Sequence, residues 1–158
     1  MLCQGPTTVY RLLRGGEWFC GVNQLHPNTV YPFLKRYLQR GWITRKEEPG
    51  QRGRTRSVCT ITPAGRAALV EKVKAFSTSD AGSADAFRLC VGLFGHLEKG
   101  DRQQILAARD RYLQYRIEEL RELDRQPGSQ YWSVLTTKFL VHAFELERKW
   151  INELIRSI

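Results

Sequence analysis

The sequence predicts a mainly α fold with a small β-hairpin (α+β), followed by an antiparallel, coiled-coil-like helical domain. Three observations predict it. Residues 26–66 read HPNTVYPFLKRYLQRGWITRKEEPGQRGRTRSVCTITPAGR, a polar helix running into a hairpin with arginines at its tip. The second half repeats apolar residues in steps of three and four, the spacing of a helical stripe. Charge separates the halves. Residues 1–76 hold thirteen Lys and Arg against four Asp and Glu, and residues 77–158 hold twelve of each, so the net +9 lies wholly in the first. A one-sided basic excess is expected of a polyanion-binding face.

Residues 6–14 are expected as a short helix, with Pro6 at its first position, Val9, Leu12 and Leu13 inward, and Gly15 as a left-handed stop. A connector over 16–25 carries Trp18, Phe19 and Val22. The next helix spans about 27–40. Its apolar stripe is Val30, Phe33, Leu34, Tyr37 and Leu38, at i, i+3, i+4, i+7 and i+8. Pro32 would remove a helical hydrogen bond from an interior turn. A start near Thr29 places it in the first turn; an end shaped for its target also fits. His26 stands where a serine-like cap is expected, and imidazole is a poorer cap, so it is expected in the connector, with a place facing a phosphate as the alternative.

Residues 42–47 and 56–61 are expected as a two-stranded hairpin, its tip marked by Pro49-Gly50 and Gly53 and surrounded by Gln51, Arg52, Arg54 and Arg56. Thr62-Pro63 opens a helix to about residue 76, with Leu69, Val70 and Val73 inward. Together these elements make a winged helix-turn-helix over 1–76. Residues 77–86, STSDAGSADA, are small and polar and are expected as a hinge.

The remaining domain, 87–158, is expected to be helical. Phe87, Leu89, Cys90, Val91, Leu93, Phe94 and Leu97 form a short apolar helix. Asp101 with Gln104 matches a capping box opening a helix through about residue 123, with Leu106, Tyr112, Leu113, Ile117 and Leu120 inward. The last helix, 129–158, carries a seam of Trp132, Leu135, Phe139, Ala143, Leu146, Trp150 and Leu154, widened by Leu140, Phe144, Ile151, Ile155 and Ile158. One partner helix of about 23 residues cannot cover so wide a face. Pairing with a second copy around a two-fold axis covers it, so a homodimer is expected, with Trp132, Leu135, Phe139, Leu146, Trp150 and Leu154 as its contacts.

Other classes find little support. The four cysteines, at 3, 20, 59 and 90, form no CxxC pattern, and reduced, mostly buried thiols in a cytoplasmic protein are expected. No apolar run approaches the roughly 20 residues of a membrane span. The three histidines, at 26, 96 and 142, form no ligand-spaced cluster; His142 with Glu145 and Glu147 is a weak metal pattern that reads as surface charge. Without a Gly-rich phosphate loop or a nucleophile elbow, neither an enzyme nor a cofactor is expected.

The run Thr29 to Arg36 (TVYPFLKR), Gly41, the basic wing and Thr62-Pro63-Ala64-Gly65-Arg66 together resemble PadR-family transcriptional regulators. The likeness continues in Gly5-Pro6 and Tyr10, in 88–97, and in 147–154 with Trp150-Ile151. It implies a homodimeric transcription factor, usually a repressor, that binds a palindromic operator in double-stranded DNA. It also implies release by a small aromatic ligand in the dimer core, where Phe87, Phe94 and Phe144 are the pocket candidates. Such regulators carry an apolar helix ahead of the Gly5-Pro6 position, of which Met1 to Gln4 would be the remnant. A winged-helix interaction module that has lost DNA binding is the alternative.

Direct readout places Asn28, Thr29, Tyr31 and Lys35 nearest base edges, since Lys pairs well with guanine and Asn with adenine. Arg36 and Arg40, further along the helix, are expected on phosphates. Arg52 and Arg54, with Arg56 beside them, are expected in the minor groove, where narrow A·T tracts attract guanidinium. Thr8 and Tyr10 are expected to offer hydroxyls to phosphate from the supporting helix.

Overall fold

The computed structural model describes residues 2–20, 26–49, 55–125 and 130–158. The chain divides into two compact units, Met1–Ala75 and Phe76–Ile158.

The first unit starts with a single 3-10 turn, Leu2–Gln4, followed by β1 (Thr7–Thr8), α1 (Val9–Cys20), α2 (Pro27–Gln39), β2 (Ile43–Pro49), β3 (Thr55–Ile61) and α3 (Pro63–Lys74). The expected hairpin gains a third strand. The sheet order is β1-β3-β2, antiparallel throughout, with Thr7 opposite Cys59, Ile43 opposite Ile61 and Glu48 opposite Arg56. Val9, Leu34, Ile43 and Cys59 form the buried core, with Leu2, Leu12, Leu13, Val30, Tyr37 and Leu38 packed against it.

Several boundaries differ from expectation, each for a local reason. The β-branched pair Thr7-Thr8 extends along β3 instead of opening a helix. Helix α1 then runs through Gly15 and Gly16 to Cys20, taking in part of the expected connector. A helical glycine costs about 1 kcal/mol against alanine but ends a helix only when it turns left-handed. Helix α2 begins at Pro27, as expected, and not at the alternative start near Thr29. His26 is its N-cap after all: its Nδ1 accepts the Asn28 N–H at 3.3 Å. Pro32 is therefore an interior residue and returns no N–H to the Asn28 carbonyl. Phe33 leaves the expected stripe and is 43% exposed.

The junction of α2 with the sheet is tightly specified. Gly41 takes φ +67°, the left-handed turn that stops α2. The Thr62 hydroxyl donates to the Gly41 carbonyl at 2.7 Å, lies 3.1 Å from the Trp42 carbonyl, and accepts the Gly65 N–H at 3.0 Å as the N-cap of α3. Pro63 takes the first helical position, where its missing N–H costs nothing. A Cβ on Gly65 would stand 2.0 Å from the Trp42 carbonyl oxygen, so this close crossing requires glycine.

The second unit contains α4 (Thr78–Gly82), α5 (Ala84–Val91), a 3-10 turn (Phe94–His96), α6 (Lys99–Asp124) and α7 (Tyr131–Ser157). Residues 77–86 are not an extended hinge. Ser77 and Asp80 form a capping box on α4, and Ser83 caps α5 by accepting the Ala86 N–H at 3.2 Å. The small polar residues that suggest a linker are helix caps. The Asp101–Gln104 pattern is not the cap of α6, which begins earlier, with Glu98 as its N-cap. Asp101 falls in the first turn, where a carboxylate favours the helix dipole.

Phe87, Phe94, Leu97, Ile105, Leu106, Leu113, Ile117, Leu120 and Ile151 are buried in this unit. Arg109 of α6 is buried among them, 2% exposed. Its Nε and Nη2 donate to the two carboxylate oxygens of Glu147 at 2.8 and 2.9 Å, and Nη1 donates to the Ala81 carbonyl at 2.6 Å. Its guanidinium lies 5.7 Å from the Phe87 ring and 5.5 Å from that of Tyr112. One side chain thereby joins α4, α6 and α7. Arg148–Asp110 (2.7 Å) and Arg121–Glu145 (2.6 Å) bridge the two long helices nearer the surface.

Candidate nucleic-acid interface

The inner stripe of α2 fixes its outer face. With Leu34 buried and Val30, Tyr37 and Leu38 half-buried, Asn28, Thr29, Tyr31, Lys35, Arg36, Gln39 and Arg40 all reach solvent. Tyr31 is 52% exposed. The Arg36 guanidinium stacks 5.0 Å above the Phe33 ring, and that of Arg40 4.8 Å above Trp42. The rings steady the stems while the charged heads stay at the surface. Among the described residues no carboxylate pairs with Lys35, Arg36 or Arg40. The result is a cationic ridge with hydroxyl and amide groups at its start, the donor set suited to phosphates and base edges.

Two clefts gather the remaining candidates. Tyr31 and Lys35 line one of about 300 Å³, together with Arg45 of β2. Thr8 and Arg56 line another of about 270 Å³, together with Arg11 and Glu48. Thr8 accepts the Arg11 backbone N–H at 3.3 Å, and the exposed Tyr10 hydroxyl accepts from Arg14 at 3.2 Å. Arg52 and Arg54 lie outside the described residues.

Arg11, Arg45, Glu47 and Glu48 are not among the residues expected from the sequence. Arg45 donates to the Ser57 hydroxyl and pairs with Glu47 at 3.3 Å; Arg56 pairs with Glu48 at 2.9 Å. The signal was present in an adjacent acid pair inside an otherwise basic wing. Burial pushes the Cys59 thiol above its ordinary pKa, and nearby Arg45 pulls weakly the other way. Cys59 is thus a neutral core side chain.

In the second unit the expected seam divides. Trp132 (76%), Phe139 (69%), Leu146 (68%) and Leu135 (41%) stand exposed, beside Tyr131 and Ile155. Trp150 and Leu154 are half-buried, and Trp150 meets Phe87 edge-on at 5.8 Å. Phe87 and Phe94 are buried core residues, and Phe144 is half-buried. Among the described residues no helix is long and apolar enough to cross a membrane, and no cluster of His, Cys, Asp or Glu could hold a metal.

A helical unit carrying a three-stranded wing and a basic outer helix defines a winged-helix protein. Residues 1–71 match the family described as the transcriptional regulator PadR-like family, a likeness that covers most of the first unit. That family comprises transcriptional regulators, not enzymes. Solved structures to which the chain is similar include PadR of Bacillus subtilis in complex with operator DNA, at 15% identity over 99% of this chain and 93% of that one, with a TM-score of 0.45. A PadR-like transcriptional regulator from Bacillus cereus is 12% identical over 99% of this chain and 90% of its own, with a TM-score of 0.42. A comparison with curated proteins finds no match.

Proposed function

We propose that this chain is a homodimeric, sequence-specific DNA-binding regulator that represses transcription from a palindromic operator. The observation that carries the reading is the outer face of α2. Three cations there lack acid partners among the described residues, two are steadied on aromatic rings, and Asn28, Thr29 and Tyr31 stand beside them. Asn28, Thr29, Tyr31 and Lys35 read bases; Arg36 and Arg40 hold phosphates; Thr8 and Tyr10 hold flanking backbone, Arg52 and Arg54 enter the minor groove, and Arg56 meets the duplex beside them. The exposed Trp132, Phe139 and Leu146 on α7 support pairing of two copies, which sets two such faces at a fixed spacing. Phe87 and Phe94 are buried core residues.

A gel shift with the DNA upstream of the chain's own gene tests it. The wild type binds that duplex far better than a random one. Lys35→Ala loses about 1–3 kcal/mol on the specific duplex and much less on random DNA. Failure to bind any duplex at low salt would leave the protein-interaction reading. Binding indifferent to sequence would make the protein an architectural one.

A further inference from the structure

Residues 1–76 contain four carboxylates, and two of them, Glu47 and Glu48, are adjacent on β2. Neighbouring strand residues point to opposite faces, so each acid serves a different face of the wing. Glu47 holds Arg45 on the face that lines the cleft with Tyr31 and Lys35. Glu48 lies directly across the ladder from Arg56, on the face toward Thr8 and Arg11. Its Oε2 stands 2.9 Å from Arg56 Nη2. Across that cleft, among the described residues, no carboxylate pairs with Arg11.

We propose that Glu48 is a charge latch. Its carboxylate occupies, in the DNA-free molecule, the place on Arg56 that a duplex phosphate takes in the complex, and the cleft between Arg56, Arg11 and Thr8 is the phosphate seat. The inference rests on the DNA-binding reading above. A carboxylate and a phosphodiester present similar paired oxygens to a guanidinium, so one displaces the other without moving the arginine. The pair is open to water on both sides, 58% for Arg56 and 43% for Glu48, so the latch is weak and releases readily. Its consequence is a lower affinity of the wing for any polyanion, specific or not.

The test is Glu48→Gln in the full chain, an exposed and nearly isosteric change, with circular dichroism to confirm folding. Dissociation constants are measured on the upstream duplex and on a random duplex. Glu48→Gln tightens both by roughly two- to five-fold, the range of an exposed ion pair, and the ratio between them stays constant or falls. In an Arg56→Gln background the same change gives no gain. Unchanged affinity, or an equal gain without Arg56, overturns the latch. Inorganic phosphate added at constant ionic strength leaves both affinities unchanged; selective competition lost with Arg56 would make the cleft a free-anion site and overturn the duplex assignment. A wild type that binds no duplex refutes the DNA-binding reading itself, an outcome distinct from a wild type that binds while Glu48→Gln gains nothing.

Discussion

Replacing Glu147 with alanine removes the acid that faces Arg109 and leaves the cation where it is. Arg109 is 2% exposed, and two of its three hydrogen bonds, at 2.8 and 2.9 Å, end on Glu147. A buried pair broken from one side costs about 3–5 kcal/mol, because the remaining charge has lost both water and partner. The neighbouring Arg121–Glu145 pair joins the same two helices but is 53% and 39% exposed. Glu145→Ala should therefore cost about 0–1 kcal/mol. For a chain of this size each kcal/mol moves the Tm by about 2–4 °C. The expected losses are on the order of 6–20 °C for Glu147→Ala and at most about 4 °C for Glu145→Ala. Thermal unfolding followed by far-ultraviolet circular dichroism reads both, at one fixed protein concentration because association would itself move the Tm. The double variant Arg109→Met, Glu147→Met recovers most of the loss, since the desolvation penalty leaves with the charges. Equal, small shifts for Glu147→Ala and Glu145→Ala would refute the claim that Arg109 organises this unit.

Gly65→Ala forces a Cβ against the Trp42 carbonyl oxygen, and should destabilise by more than the roughly 1–3 kcal/mol of ordinary overpacking; a wild-type urea midpoint would sink this. Sedimentation should give twice the 18.3 kDa of one chain, and Phe139→Asp should return the monomer; a wild-type monomer at micromolar concentration ends the dimer proposal. Cys59 should resist thiol reagents at neutral pH until the protein unfolds, because burial holds it protonated; rapid labelling of native protein would contradict that placement. The Glu119 carboxyl is held below its ordinary range, first by the Tyr115 hydroxyl and then by Arg116. A depressed carboxyl contributes above its unfolded pKa and stops contributing as pH falls through its folded value, so Tyr115→Phe should raise the Glu119 titration, followed by carboxyl NMR, and wild type and variant should converge in acid.

The periodicity of α2 was legible because Val30, Leu34, Tyr37 and Leu38 answer to one core. Phe33 broke the pattern: it is 43% exposed, with the Arg36 guanidinium 5.0 Å from its ring, a contact that no apolar count contains. Strand β1 was invisible for the opposite reason. Two residues give no period, and Thr7-Thr8 became a strand only because β3 offered an open edge. The capping roles of Ser77 and Ser83 were hidden by composition, since linkers and caps draw on the same small polar residues. Arg109 was unreadable in principle. Charged residues default to the surface, and its acid partner lies 38 residues away. In the candidate interface, the helix-borne cations could be read from the face they share. The strand acids that restrain Arg45 and Arg56 required the register.

The knot at Thr62 has an evolutionary consequence. It holds the end of α2, the start of the sheet and the first turn of α3 with one hydroxyl and main-chain atoms, and it draws on no outward-facing side chain of α2. Asn28, Tyr31 and Lys35 can therefore be exchanged without disturbing the frame that aims them. On the DNA-binding reading proposed above, a lineage built on this mount would acquire new targets by change at a few positions of α2, while the hydroxyl, the two glycines at 41 and 65 and the proline at 63 keep the frame.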